Sequence, residues 1–170
     1  MEALNEVMSP SVKRATEGKY LTFLLDSQEY GIGILKVREI IGIMPITSVP
    51  LAPDFVKGVI NLRGKVIPIV DLRLKFGMVK ADHTDYTCII VVDVTAALGK
   101  IILGIIVDAV SEVLNIKVDQ IEDTPSFGTA FDTQCICGMA KSDEGVKTLL
   151  DIDRVFNAEE STDFGKRSMK

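Results

Sequence analysis

Apolar residues in this chain come in short runs of four to nine, rich in Val and Ile, and Gly, Pro or Asp interrupts them. Runs of that length and β-branched content predict strands, and hence a mainly β protein. Several runs are apolar at consecutive positions. "IILGIIVDAV" (Ile101 to Val110) shows no polar alternation until Asp108, which predicts strands covered on both faces.

The pattern occurs twice. "GIGILKVREIIGI" (31–43) laid over "GIIVDAVSEVLNI" (104–116), an offset of 73, matches at Gly31/Gly104, Ile32/Ile105, Val37/Val110, Glu39/Glu112 and Ile43/Ile116, and pairs aliphatics at three further positions. Upstream, "YLTFLLD" from Tyr20 resembles "YTCIIVVD" from Tyr86. Downstream, Pro53-Asp54-Phe55 faces Pro125-Ser126-Phe127. "GVINLRGKVIPIVDLRLKF" then faces "GMAKSDEGVKTLLDIDRVF" at an offset of 80, aligning Gly58/Gly138, Val66/Val146, Asp71/Asp151 and Phe76/Phe156.

The chain therefore reads as two copies of one module, at about 20–77 and 86–156, each a small barrel of about five strands. A module of that size buries little apolar surface alone, so the pattern predicts a core shared between the copies, and it is compatible with strands exchanged between them. Residues 1–18 and 159–170 are polar and read as mobile tails. "DIDRVFNAEE" predicts a short terminal helix capped by Asp151 or Asp153.

Composition narrows the function. Of 170 residues 47% are apolar and 25% charged, and the formal net charge is −5. An acidic chain without a basic stripe is poorly suited to nucleic acid or an anionic membrane. No apolar stretch is long enough to span a bilayer, and the N-terminus lacks the apolar core of a signal peptide. Three cysteines, Cys88, Cys135 and Cys137, do not make a disulfide framework and point to a reducing cytoplasm. Cys135 and Cys137, at i and i+2, are expected on one strand face as packed thiols. Two thiols cannot complete a zinc site, and the only histidine, His83, lies in a polar linker.

Chemistry is hard to find. "GVINLRGKV" has five residues between its glycines and Val66 where a phosphate-binding loop needs Ser or Thr, in a strand-turn-strand context. "GIGILK" lacks the third glycine of a dinucleotide fingerprint. Asp71 and Asp151 each precede a helical turn, where capping accounts for them. No metal, cofactor or catalytic constellation is implied, which favours a binding or scaffolding role. Arg63 stands out. At the offset of 80 it faces Asp143, and Gly64 faces Glu144, in a hairpin of equal length. A turn residue demanded by the module should occur in both copies, and this arginine occurs in one.

"YGIGILKVREI", "PDFVKGVINLRGKVIPIVDLRLKFG" and "LGIIVDAVSEVL" together resemble the CheW family, adaptors of bacterial chemotaxis, and the similarity runs from about Tyr20 to Phe156. The resemblance implies two five-stranded SH3-like barrels around a common core. It also implies a non-enzymatic coupler in the cytoplasm, recruited to membrane-associated receptor arrays, which links the helical-hairpin tip of methyl-accepting chemoreceptors to the regulatory domain of the histidine kinase CheA. Carried over by motif, the receptor groove comprises Ile34, Val37, Glu39, Arg63, Val110 and Val113, with aliphatic side chains against the receptor helix and an Arg63–Glu39 ion pair at the edge. Kinase contacts are expected mainly on barrel faces of the second half, with a smaller patch on the first, and the motifs mark no residues for them. Two other readings are a coupling protein of a non-flagellar array and a ligand- or oligonucleotide-binding double barrel. Aromatics at 6% and the absence of Trp disfavour the latter.

Overall fold

The structure is a computed structural model and describes residues 16–97, 99–123, 135–143 and 145–157. Eleven strands run in chain order: β1 (Gly18–Leu25), β2 (Gln28–Gly33), β3 (Val37–Gly42), β4 (Val56–Leu62), β5 (Lys65–Asp71), β6 (Cys88–Ala96), β7 (Gly99–Val107), β8 (Ala109–Ile116), β9 (Ile121–Glu122), β10 (Ile136–Ser142) and β11 (Gly145–Leu150). Two short helices, α1 (Leu72–Lys75) and α2 (Ile152–Asn157), follow β5 and β11.

The strands form two sheets, ordered β8-β1-β2-β11-β10-β9 and β3-β6-β7-β5-β4. Neither sheet coincides with one half of the sequence. The first hairpin of each half is seated in the sheet built by the other half, through parallel pairing of β2 with β11 and of β7 with β5. The two SH3-like β domains are therefore interlocked.

Each sheet closes on itself in the same way. Beyond β3, Thr47 forms a two-bond bridge with Val59 on β4 (both N···O 2.9 Å), joining the two edges of the five-stranded sheet. In the six-stranded sheet the equivalent step is β9 on β10, reached from β8 through a 3-10 turn at Val118–Gln120. Closure removes the exposed edges that would otherwise invite pairing with other chains.

The unbroken apolar runs follow from this arrangement. On β6, Ile90, Val92 and Val94 enter the core between the barrels, and Ile89 and Val91 enter the interior of the five-stranded barrel. On β7, Leu103, Ile105 and Val107 face the shared core while Ile106 faces the interior. Side chains alternate between two dry compartments, so polar alternation is absent. Among the described residues the shared core holds fourteen buried side chains, against six and four in the two barrel interiors. Most of the apolar burial thus holds the barrels to each other.

The recurring Gly31 and Gly104 are set by space. A Cβ on Gly104 would lie 2.6 Å from Ile89 Cγ2 and 2.8 Å from Ile69 Cδ1, and one on Gly31 would lie 3.0 Å from Leu149 Cδ2. Strand pairing also corrects the upstream alignment. Thr22 faces Gly31 as Val91 faces Gly104, an offset of 69, so Tyr20 corresponds to Ile89. Tyr86 lies before β6 and is exposed. The Pro125–Phe127 correspondence lies outside the described residues.

Asp71 and Asp151 cap the helices: Asp71 Oδ1 accepts from Leu74 N at 3.4 Å, and Asp151 Oδ1 accepts from Asp153 N at 3.1 Å and Arg154 N at 3.4 Å. Asp153 is engaged elsewhere, as described below. The two sulfurs of Cys135 and Cys137 do not share a surface. A register shift between Ile136 and Gly138 turns the strand, so Cys135 packs on the shared core and Cys137 on the six-stranded interior.

Gly58 tests the closure. Its φ is +142°, and an added Cβ would sit 2.0 Å from the Thr47 carbonyl oxygen of the closing bridge. Gly64, at φ +86°, has open space around its Cβ position. Urea unfolding should show Gly58→Ala losing more than about 2 kcal/mol and Gly64→Ala about 1 kcal/mol. Equal losses would mean that backbone conformation alone, and not the bridge, sets the requirement at Gly58.

Candidate functional site

The tip of the β4–β5 hairpin is a two-residue turn, Arg63-Gly64, with both residues at positive φ (52° and 86°). Such a turn matches the twist of the paired strands, and Asn61 Oδ1 secures it by accepting from Gly64 N at 2.9 Å. From this tip the Arg63 guanidinium reaches back to β3. Nη1 donates to Glu39 Oε2 at 2.9 Å and Nη2 to Glu39 Oε1 at 2.5 Å, a two-point pair. The Arg63 side chain is 66% exposed and that of Glu39 32%, so the pair forms a polar edge open to solvent.

The carboxylate is presented there by the alternation of β3, where Val37, Glu39 and Ile41 are half-buried and Arg38 and Ile40 exposed. Pairing with β6 shifts register between Val37 and Glu39. The matching shift on β8 lies between Val110 and Val113, opposite Phe23 and Leu21 of β1. There Thr22, fully buried, fills the irregularity: its Oγ1 donates to the Glu112 carbonyl at 2.8 Å and accepts from Glu112 N at 3.1 Å.

The six residues expected to line a groove are distributed as follows. Ile34, Val37 and Val110 are half-buried and pack against the shared core, one set from each barrel. Glu39 and Arg63 are joined directly. Val113, half-exposed, is carried by β8 beside Leu21.

Two ion-pair clusters that the sequence reading did not single out stand at the points where the chain passes from one barrel to the other. In the first, Arg73 of α1 makes a two-point pair with Asp108, at the β7–β8 junction (Nε–Oδ1 2.9 Å, Nη2–Oδ2 3.0 Å). Asp26 N, in the β1–β2 turn, donates to Asp108 Oδ2 at 2.8 Å. In the second, Asp153 of α2 accepts from Lys36 Nζ at 2.7 Å, at the β2–β3 junction, and from Thr95 N at 2.8 Å, near the β6–β7 turn. Arg73 and Asp153 are equivalent at the offset of 80, and Asp26 and Thr95 at 69. A latch of helix, junction and hairpin therefore recurs with the helix charge reversed, its junction residues Lys36 and Asp108 lying one place apart in the repeat (72 residues against the offset of 73). Opposite charges at equivalent positions count as mismatches in a comparison by identity. The usable signal was a charged residue two places after each capping aspartate.

Burial alone would raise the Asp108 carboxyl, but the hydrogen bonds from Arg73 and from Asp26 N, with the Arg73 charge, outweigh it and hold the group below its ordinary value. Among the described residues no group of three or more His, Cys, Asp or Glu is placed to hold a metal, and no helix is long and apolar enough to cross a membrane.

A depressed carboxylate contributes stability that is fully present above its unfolded value and is lost as pH falls through its folded value. Wild type should therefore exceed Asp108→Asn in unfolding free energy by a constant margin at neutral pH. That margin should shrink as pH drops below about 4. A margin unchanged down to pH 2 in denaturant titrations would show that the Asp108 charge is not what stabilises the latch.

The CheW-like domain profile matches residues 19–160. The chain is 39% identical over 142 residues to the chemotaxis protein CheW of Klebsiella aerogenes, covering 84% of this chain and 83% of that one. It is 32% identical over 147 residues to CheW of Bacillus subtilis, covering 86% and 91%. The crystal structure of the scaffolding protein TtCheW from Thermoanaerobacter tengcongensis superimposes with a TM-score of 0.72 at 36% identity, covering 83% of this chain and 93% of that one. With the profile, the relatives and the fold in agreement over nearly the whole described chain, this protein belongs to the CheW-like family of chemotaxis adaptors.

Proposed function

We propose that this adaptor receives the helical-hairpin tip of a chemoreceptor in a groove between its barrels and, through separate surfaces, binds the regulatory domain of the kinase CheA. It acts in the cytoplasm at membrane-associated receptor arrays. The observation that carries the reading is the Arg63–Glu39 pair. It is a two-point ion pair at the solvent-facing edge of the crossover region, built on a turn whose counterpart in the second repeat has Asp143 in place of the arginine. An exposed pair contributes only about 0–1 kcal/mol to folding, so its use lies in recognition. The aliphatic side chains Ile34, Val37, Val110 and Val113 would take the apolar stripe of the receptor helix, and the pair would orient the spare guanidinium donors toward polar side chains beside it.

Co-sedimentation of the protein with a receptor cytoplasmic fragment and the kinase is the direct test. A ternary complex should form, and kinase activity should rise only when this protein is present. Failure of either would remove the coupling role. Arg63→Asp should weaken the receptor fragment by about tenfold, equivalent to about 1.4 kcal/mol, and leave the thermal midpoint and kinase-domain binding near wild type. Unfolding of that variant would instead make Arg63 a structural residue.

A further inference from the structure

The two charge-reversed latches sit next to the walls of the proposed groove. Ile34, Val37 and Glu39 all lie within three residues of Lys36, and Val110 and Val113 within five of Asp108. The 3-10 turn Ile34–Lys36 that opens this wall has no side-chain cap of its own. What ties its last residue to the rest of the fold is Asp153 of α2, whose other oxygen is held by Thr95 N. Both partners are largely withdrawn from solvent, Lys36 at 28% and Asp153 at 19% exposure, so water competes for this pair less than for an open surface pair. On the opposite wall Arg73 is 14% exposed and holds Asp108 by two hydrogen bonds.

We propose that the Lys36–Asp153 and Arg73–Asp108 pairs are positioning devices for receptor recognition. Each sets where a crossing strand leaves its junction, and so fixes the spacing between the aliphatic walls that the receptor helix must fill. This rests on the receptor-groove reading above. The shared core does not depend on the latches for most of its mass: eleven of its fourteen buried side chains come from the strands, and Leu72, Ile152 and Val155 are added from the helical segments. Loosening a latch therefore leaves the fold intact and blurs one wall. The reversed polarity has a consequence of its own. A helix cation serves one junction and a helix anion the other, so Arg73 would repel Lys36 and Asp153 would repel Asp108, and the two helices cannot exchange junction partners.

The test is a pair of double-mutant cycles on the full chain, Lys36→Met with Asp153→Asn and Arg73→Met with Asp108→Asn. Affinity is read for a receptor cytoplasmic fragment and, separately, for the kinase regulatory domain, at a temperature well below unfolding. Asparagine keeps an oxygen for the Thr95 or Asp26 N–H while removing the charge. Each single variant should weaken the receptor fragment about fivefold, and each double should be no weaker than its singles, since the partners act as one unit. Kinase-domain affinity should stay within about twofold of wild type, and Lys36→Arg should restore receptor binding. The proposal fails if either cycle leaves receptor affinity unchanged, if the singles add, or if receptor and kinase affinities fall in parallel with the thermal midpoint. Absence of receptor binding by the wild-type chain would overturn the groove reading itself, a result distinguishable from failure of the latches.

Discussion

The constraint on which this structure depends is that a module of about 60 residues buries little apolar surface and is marginal alone. The chain meets it by seating the first hairpin of each half in the sheet of the other half. Leu21, Phe23 and Leu25 of β1 then meet Ile90, Val92 and Val94 of β6 in one compartment, closed at its margins by Leu72, Ile152 and Val155 from the helical segments. A full buried aliphatic side chain is worth about 1.5–3 kcal/mol. A core that draws its largest side chains from both halves therefore couples the folding of each barrel to that of the other.

Exchange has a topological consequence. The chain must leave one barrel and enter the other at the β2–β3 junction, and return at the β7–β8 junction. Both crossings lie along the seam. The strands that begin there, β3 and β8, carry bulges at equivalent positions, and bulges re-aim side chains at the point where pairing is interrupted. Residues placed immediately after a crossing thus end up at the boundary between the barrels. The polar pairs Lys36–Asp153 and Arg73–Asp108 stand at these two crossings.

Much of this was legible in the residues. Uninterrupted apolar runs announced strands with two dry faces, and Gly31/Gly104 marked a crowded position that the packing explains. Asp71 and Asp151 were correctly read as caps. Other features misled for identifiable reasons. The two tyrosines suggested an alignment three residues out of register, because a run of branched aliphatics has no internal landmark and the eye takes the aromatic instead. Cys135 and Cys137 were assigned one face by strict alternation, which the bulge ending at Gly138 breaks. The latches were missed because their conserved property is geometry, and their charges are inverted between copies.

Arg63 is the residue at which fold and function can be separated by magnitude. A side chain at φ 52° occupies a region that costs L-residues roughly 1–2 kcal/mol. The solvent-exposed pair with Glu39 returns about 0–1 kcal/mol. The two terms cancel at best, so the arginine does nothing net for stability, and a glycine or asparagine would make the same turn at lower cost. The equivalent hairpin tip has Asp143 there, and among the described residues of that tip Gly145 has a positive φ (132°), so the module does not require an arginine. Arg63 thus holds the Glu39 carboxylate at a cost to its own backbone that the fold does not require.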